Sequence, residues 1–141
     1  MKVIILIPIY NDWRSAFELL KNIDQQINDL SEEVSVLIVN DGSNEEKEEV
    51  CEFKNIKSIK IINMKENKGH ARCNAAGLKY IFEKEDFDYV IPMDGDGEDR
   101  PEEIKELIDQ IQNSDGRSIV GERVKRSENL FFRLCYQLHK L

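Results

Sequence analysis

Three carboxylates on alternate residues, separated by glycines, are the part of this sequence best suited to do chemistry. They are Asp94, Asp96 and Glu98, and they follow the apolar run at residues 89–93. Carboxylates this close repel one another unless a cation lies among them. Hard cations such as Mg²⁺ or Mn²⁺ prefer oxygen ligands and often arrive bound to phosphates. The other interpretation is a solvated acidic turn, because Asp and Gly are ordinary turn residues.

The spacing of this acidic loop excludes an EF-hand, which needs Gly at its sixth position and Glu at its twelfth. Counted from Asp94, those positions hold Asp99 and Lys105. The sequence also contains no P-loop, no His-Glu-x-x-His zinc motif and no Ser-His-Asp order. Residues 8–12, after the first apolar run, contain no glycine. A dinucleotide-binding oxidoreductase is therefore excluded as well.

Apolar runs alternate with amphipathic segments along the chain, which predicts an α/β domain with a mostly parallel sheet. We predict strands at residues 3–9, 34–39, 59–62, 89–93 and 118–121. We predict helices over about 13–30, 43–53, 71–82, 101–111 and 127–141. Asn11 or Asp12 can cap the first helix, and the capping-box spacing of Ser43 and Glu46 indicates the second.

Polar segments follow the carboxyl ends of the first four predicted strands. They are residues 10–12, 40–43, 67–74 and 94–99. Ligands of open parallel sheets bind at these strand ends, near the point where the strand order changes. We therefore expect the four segments to line one cleft.

Individual residues in these segments have alternative interpretations. Residues 67–74 place a glycine, Arg72 and two amides at a predicted helix start. This fits an anion site and equally an ordinary capped helix with a surface arginine. His70 could contact a phosphate, although a single histidine in a loop more often has no such role. Asp41 could accept a hydrogen bond from a nucleobase imide, and the alternative is a strand-to-helix turn capped by Ser43.

Size and charge narrow the class of protein. A chain of 141 residues fits one domain. A net charge of −8 argues against a general nucleic-acid binder, which would show a basic face. Residues 121–141 carry five Lys or Arg against two acids, which indicates either an anionic partner or a solvated basic end. We favour packing of the apolar stripe of this segment in a core or in a homodimer interface. The alternative is a peripheral contact with an anionic membrane.

The three cysteines have no metal-binding or Cys-x-x-Cys spacing, which indicates free thiols in a reducing compartment. The first apolar run is too short to span a membrane, and no cleavage site follows it. We therefore expect a cytoplasmic location, at the inner face of the membrane if the C-terminal segment binds there.

Four motifs together resemble the family-2 glycosyltransferases of the GT-A fold. They are IPIYN at 7–11, VNDGS at 39–43, NKGHARCN at 67–74 and MDGDGEDRPE at 93–102. Their order and spacing match as far as about Arg126. The resemblance implies an α/β fold of the GT-A type, a three-layer α/β/α sandwich with a mostly parallel sheet. It also implies inverting transfer of a sugar from a nucleotide-diphosphate sugar to an acceptor.

The resemblance also implies a domain organisation. Residues 1–126 would form the nucleotide-sugar-binding domain. Residues 127–141 would form an amphipathic helix, either of the same domain or at the start of a missing acceptor region. Because catalytic domains of the family are longer, we expect the chain to be C-terminally truncated.

The resemblance assigns site residues by motif. Asp94 and Asp96 form the family's D-x-D pair and would be catalytic, with Asp96 and Glu98 as ligands of the Mg²⁺ or Mn²⁺ that bridges the diphosphate. The UDP- or GDP-linked donor would be bound by Pro8, Tyr10, Asp12, Asp41, Asn67, Gly69, Arg72, Asp94 and Gly95. Asp41 would face the uracil or guanine. Arg123 and Arg126 would lie on the phosphate or acceptor side.

The acidic loop is most similar to that of polyprenyl-phosphate sugar transferases, which usually have Ala at the position of Gly95 and Gln at that of Glu98. A lipid phosphate acceptor would need no general base, because its second pKa is about 6, whereas a hydroxyl acceptor would need one. Two other functions remain open. One is a nucleotide-sugar-binding fragment without transfer activity of its own, and the other is a transferase acting on a polysaccharide or other hydroxyl acceptor.

Overall fold

The computed structural model describes residues 1–47, 52–114 and 116–120. The chain divides into two compact units, residues 1–109 and residues 110–141. The described helices and strands are β1 (Lys2–Ile9), α1 (Trp13–Gln26), β2 (Glu33–Asn40), β3 (Ile59–Asn63), α2 (His70–Lys84), β4 (Tyr89–Pro92) and α3 (Ile104–Gln112). A 3₁₀ turn at Pro101–Glu103 precedes α3, and Pro101 suits this position because a first helical residue needs no backbone N–H.

The four strands form one parallel sheet in the order β3-β2-β1-β4. The central strand β1 is buried from Val3 to Ile9, because it has a neighbouring strand on each side and helices on both faces. This explains its continuous apolar sequence. Successive connections step from β1 to β2 and β3, and the chain then returns to place β4 on the other side of β1. The strand order therefore reverses between β1 and β4.

Two hydrophobic clusters lie on opposite faces of the sheet. The larger cluster packs Ile5 and Ile7 of β1 against α1 and the start of α3, including Leu20 and Ile108. The smaller cluster packs the alternate β1 residues, Ile4 and Leu6, against Cys73 and Ile81 of α2. This alternation is the period of two residues expected of a strand. The result is a three-layer α/β/α arrangement, as the resemblance to the GT-A fold implies.

The structure corrects the prediction of a helix at residues 43–53. Residues 43–47, 52 and 53 are not helical, and residues 48–51 lie outside the described chain. The capping box is not formed at Ser43, because its hydroxyl accepts a hydrogen bond from the Asn11 amide, at 2.8 Å. A contact between distant parts of the sequence has replaced the local one.

The other predicted boundaries of helices and strands differ less from those in the structure. The first helix ends at Gln26 instead of residue 30. Residues 118–120 are not a strand, so the predicted strand at 118–121 is absent from the described residues of this segment. The predicted helix at 127–141 lies outside the described residues. Within the ranges that the structure describes, no helix is long and apolar enough to cross a membrane.

Candidate functional site

An open cleft of about 190 Å³ lies at the carboxyl ends of β1 and β4, where the strand order reverses. It is lined by Pro8, Ile9, Tyr10, Asp12, His70, Asp94, Gly95 and Asp96. These residues come from three parts of the chain: the end of β1, the loop after β4 and the first residue of α2. A crevice at the reversal of strand order is where open α/β sheets bind ligands.

The turn after β1 is fixed by the two residues that follow the cleft residue Tyr10. Asn11 has a left-handed backbone with φ of 50°, which Asn tolerates better than most residues. Its side-chain oxygen accepts a hydrogen bond from the Asn44 amide at 2.7 Å. Asp12 caps α1 by accepting from the Ser15 amide at 3.2 Å, as predicted. The Tyr10 side chain is left half-exposed, so its ring is available to a ligand.

The acidic loop is held by its own carboxylates. Asp99 accepts a hydrogen bond from the Asp94 amide at 2.7 Å, and Asp96 accepts one from the Glu98 amide at 2.9 Å. The loop passes close to β1, since a Cβ added to Gly95 would lie 3.0 Å from the Pro8 carbonyl oxygen. The close approach explains a glycine here and brings Asp94 and Asp96 to the cleft.

Asp94 and Asp96, the two cleft carboxylates of the acidic loop, fit a hard cation that a ligand shares. Carboxylate oxygens are the donors that Mg²⁺ and Mn²⁺ prefer. Among residues 1–47, 52–114 and 116–120, no three His, Cys, Asp or Glu side chains are grouped to hold an ion by themselves. Mg²⁺ commonly takes one or two carboxylates and completes its shell with phosphate oxygens and water. Glu98 is exposed and does not line the cleft.

Asp41 is in a different environment from the cleft carboxylates. The residue is 3% exposed, and its two oxygens accept hydrogen bonds from the amides of Lys68 and Gly69 at 2.8 and 2.9 Å. It thus ties the end of β2 to the loop that begins α2. A carboxylate has about four lone-pair sites, so capacity for a further donor remains. Asp41 is not among the residues that line the cleft.

The same loop positions two other predicted binding residues. Asn67 is exposed, and its side-chain oxygen accepts a hydrogen bond from the Gly69 amide at 3.1 Å. Arg72 is exposed in the first turn of α2. Arg123 and Arg126 lie outside the described residues. The structure therefore gathers six predicted residues in the cleft, namely Pro8, Tyr10, Asp12, Asp94, Gly95 and Asp96.

Cys73 lies beneath this region with its thiol directed at the Val39 carbonyl oxygen, 3.3 Å away. Burial, together with the negative charge of Asp41, raises the pKa of this thiol to about 11. The group is therefore protonated at neutral pH and acts as part of the core. Cys51 and Cys135 lie outside the described residues.

The structure places His70 in the cleft, which the sequence left open. Its imidazole lines the cleft, and Nε2 lies 3.0 Å from Asn74 Nδ2 and 3.4 Å from Asp94 Oδ1. The spacing of four residues between His70 and Asn74 on a helix could have indicated the first contact. Nothing in the sequence indicated the second, because it depends on the placement of β4 beside β1. The hydrogen bond by which Asp99 holds the acidic loop was also not predicted, because no sequence motif indicates it.

The fold and the cleft define an α/β protein with an acidic cleft at the reversal of strand order. A sequence comparison identifies the family: residues 4–137 match the model of Glycosyl transferase family 2. The chain therefore belongs to this family. The match confirms the resemblance drawn from the four motifs.

Two curated relatives share the name undecaprenyl-phosphate 4-deoxy-4-formamido-L-arabinose transferase. The protein from Proteus mirabilis is 30% identical over 133 residues, which cover 94% of this chain and 40% of the relative. The protein from Klebsiella pneumoniae is 27% identical over 135 residues, which cover 92% of this chain and 39% of the relative. The chain thus spans about two fifths of the length of these relatives.

The crystal structure of S. aureus TarS has a similar fold. It superposes with a TM-score of 0.61 at 19% identity, and the match covers 89% of this chain and 24% of TarS. At this identity the likeness concerns the fold alone. It agrees with the predicted GT-A architecture.

Proposed function

We propose that this chain is the donor-binding part of an inverting glycosyltransferase that uses a nucleotide-diphosphate sugar. The observation that carries the proposal is the convergence of Asp94 and Asp96 with Tyr10 and Asp12 in one cleft. Residues 1–126 are the proposed nucleotide-sugar-binding domain. Residues 127–141 are the proposed additional helix of this domain or the start of an acceptor region.

The donor would lie across the carboxyl ends of the strands. Pro8, Tyr10 and Asp12 would hold the nucleoside, and the half-exposed Tyr10 ring offers an apolar face to it. The base and phosphate side would be shaped by Asn67, Gly69 and Arg72, in the loop that Asp41 fixes by two hydrogen bonds. A direct contact between Asp41 and a uracil or guanine stays a prediction.

Asp94 and Asp96 would hold a Mg²⁺ or Mn²⁺ ion together with the diphosphate. Glu98, on the same loop, is a further proposed ligand of this ion. When bound, such an ion supplies Lewis-acid stabilisation of the charge that develops on the leaving diphosphate. The protein's own contribution is to fix the loop. Asp99 does this by accepting from the Asp94 amide.

A polyprenyl phosphate is the acceptor we propose, since both curated relatives described above are named as undecaprenyl-phosphate transferases. Such an acceptor is mostly ionised at neutral pH and needs no general base. A hydroxyl of a polysaccharide or other glycan is the alternative acceptor. Cytoplasmic location, peripheral membrane contact through residues 127–141, phosphate contacts by Arg123 and Arg126, and a homodimer remain predictions.

A second candidate function is donor binding without transfer by this chain alone. It is favoured by the observation that the chain spans only 40% of the Proteus mirabilis relative. Donor binding that is not followed by transfer to undecaprenyl phosphate or by sugar release would support it.

Isothermal titration calorimetry with UDP- and GDP-linked sugars, with and without Mn²⁺, tests the proposal. We expect one nucleotide class to bind in the presence of Mn²⁺ and to bind much more weakly after its removal with EDTA. Absence of Mn²⁺-dependent binding to either class would contradict the proposal.

A further inference from the structure

His70 is the one basic side chain among the residues that line the cleft. The other ionisable residues there are Tyr10 and three carboxylates, Asp12, Asp94 and Asp96. An anionic ligand entering this cleft meets negative charge on the carboxylate side and needs hydrogen-bond donors elsewhere. His70 is the first residue of α2, and its side chain is 63% exposed. It is therefore accessible to such a ligand.

The contacts of the imidazole determine which ring nitrogen is available as a donor. Asn74 Nδ2 lies 3.0 Å from Nε2, and an amide nitrogen only donates, so Nε2 accepts. Asp94 Oδ1 lies 3.4 Å from the same nitrogen. That distance is beyond the usual N–H···O range of about 2.7–3.2 Å, so Asn74 is the better partner. With Nε2 accepting from Asn74, the ring N–H lies on Nδ1.

We propose that His70 donates a hydrogen bond from Nδ1 to a diphosphate oxygen of the bound nucleotide. The inference rests on the proposed function and adds a binding residue to the same cleft. An imidazole N–H complements a cation held by Asp94 and Asp96, because the other ionisable side chains of the cleft are Tyr10 and carboxylates. The positive end of the α2 dipole, at the same residue, acts in the same direction.

Two amide substitutions distinguish the ring nitrogens. His70→Asn places an amide N–H near the position of Nδ1, whereas His70→Gln places its amide near the position of Nε2. The probes are UDP and GDP in the presence of Mn²⁺, with uridine and guanosine as ligands that have no phosphate. We expect His70→Gln and His70→Ala to weaken nucleoside diphosphate binding about tenfold, the size of one charge-assisted hydrogen bond. His70→Asn should keep most of the affinity, and nucleoside binding should be unchanged in all three variants.

Unchanged affinity for UDP and GDP in His70→Gln and His70→Ala would overturn the inference while leaving the proposed function intact. Retention by His70→Gln with loss in His70→Asn would overturn the assignment of the donor to Nδ1. Equal losses for nucleosides and nucleoside diphosphates would show a general effect on the cleft and would also overturn it. Absence of Mn²⁺-dependent binding in the unsubstituted protein would overturn the proposed function and the inference together.

Discussion

The loop after β2 and the acidic loop after β4 lie at the same edge of the sheet, but their aspartates have different environments. Asp41, after β2, is 3% exposed and accepts two backbone hydrogen bonds from the loop before α2. Asp94, after β4, has a side chain that is 48% exposed and lies against the open cleft. A carboxylate at a strand end can therefore either hold the surrounding loops or line the cleft. Burial and amide contacts distinguish the two roles.

The glycines of the two loops show the same contrast. Gly42 and Gly97 both have left-handed backbones, with φ of 73° and 83°. A Cβ at Gly42 would lie 2.7 Å from the backbone of Glu66 and Asn67, whereas a Cβ at Gly97 would meet nothing within 4 Å. The loop around Asp41 is packed against another segment, and the tip of the acidic loop is open.

The largest effect is expected for Gly42→Ala. It combines left-handed strain with overlap against a backbone that cannot move aside, and it should lower the free energy of unfolding by about 3 kcal/mol. Gly97→Ala is the matched control, since it adds left-handed strain alone, about 1 kcal/mol. Urea unfolding followed by circular dichroism measures both. Equal losses in the two variants would contradict the contrast between the loops.

Asp41→Asn should lower the free energy of unfolding by about 2 kcal/mol, because one of two amide donors then faces an NH₂ group instead of an oxygen. Asp96→Asn is the control in the exposed loop and should change stability by no more than about 0.5 kcal/mol. The same urea titrations measure the difference. A stable Asp41→Asn variant would show that Asp41 does not hold the loop before α2.

Asp24, in α1, is a second carboxylate that holds a loop. It accepts hydrogen bonds from the amides of Lys54, Asn55 and Ile56. Partial burial raises the pKa of Asp24, but the hydrogen bonds from Ile56, Asn55 and Lys54 outweigh it, and the pKa is lowered overall. We therefore expect Asp24→Asn to cost about 1.5 kcal/mol at pH 7.

A lowered pKa in the folded state gives this contribution a defined pH dependence. It is fully present above the unfolded pKa of about 3.9 and is lost as the pH falls through the still lower folded value. The stability difference between the unsubstituted protein and Asp24→Asn should thus shrink below about pH 4. A difference that stays constant from pH 7 to pH 3 would show that the Asp24 charge does not stabilise the fold.

Much of the fold could be predicted because its signals are local. The continuous apolar sequence of β1 indicates a strand buried on both faces, and Asp12 is recognisable as a helix cap. The helix predicted from Ser43 failed, because the Ser43 hydroxyl binds the amide of Asn11, 32 residues away. Local spacing carries no information about such a partner.

The site could be predicted in part for the same reason. Asp94 and Asp96 share one short segment, and a motif can describe them. The approach of His70 to Asp94 depends on the sheet order β3-β2-β1-β4, which brings the loop after β4 beside the start of α2. Whether Asp41 is buried or exposed was equally beyond the motif, because it depends on the path of the loop before α2.

We propose above all that Asp94 and Asp96 of the acidic loop bind the nucleotide through a divalent ion. Calorimetric titration of Asp96→Ala with UDP and GDP, in the presence and absence of Mn²⁺, tests it most directly against the unsubstituted protein. We expect the unsubstituted protein to bind one of them with Mn²⁺. We expect Asp96→Ala to lose this binding, while its free energy of unfolding falls by no more than about 1 kcal/mol, because the hydrogen bond lost with the Asp96 side chain is exposed. Mn²⁺-dependent binding of equal affinity in Asp96→Ala would contradict it.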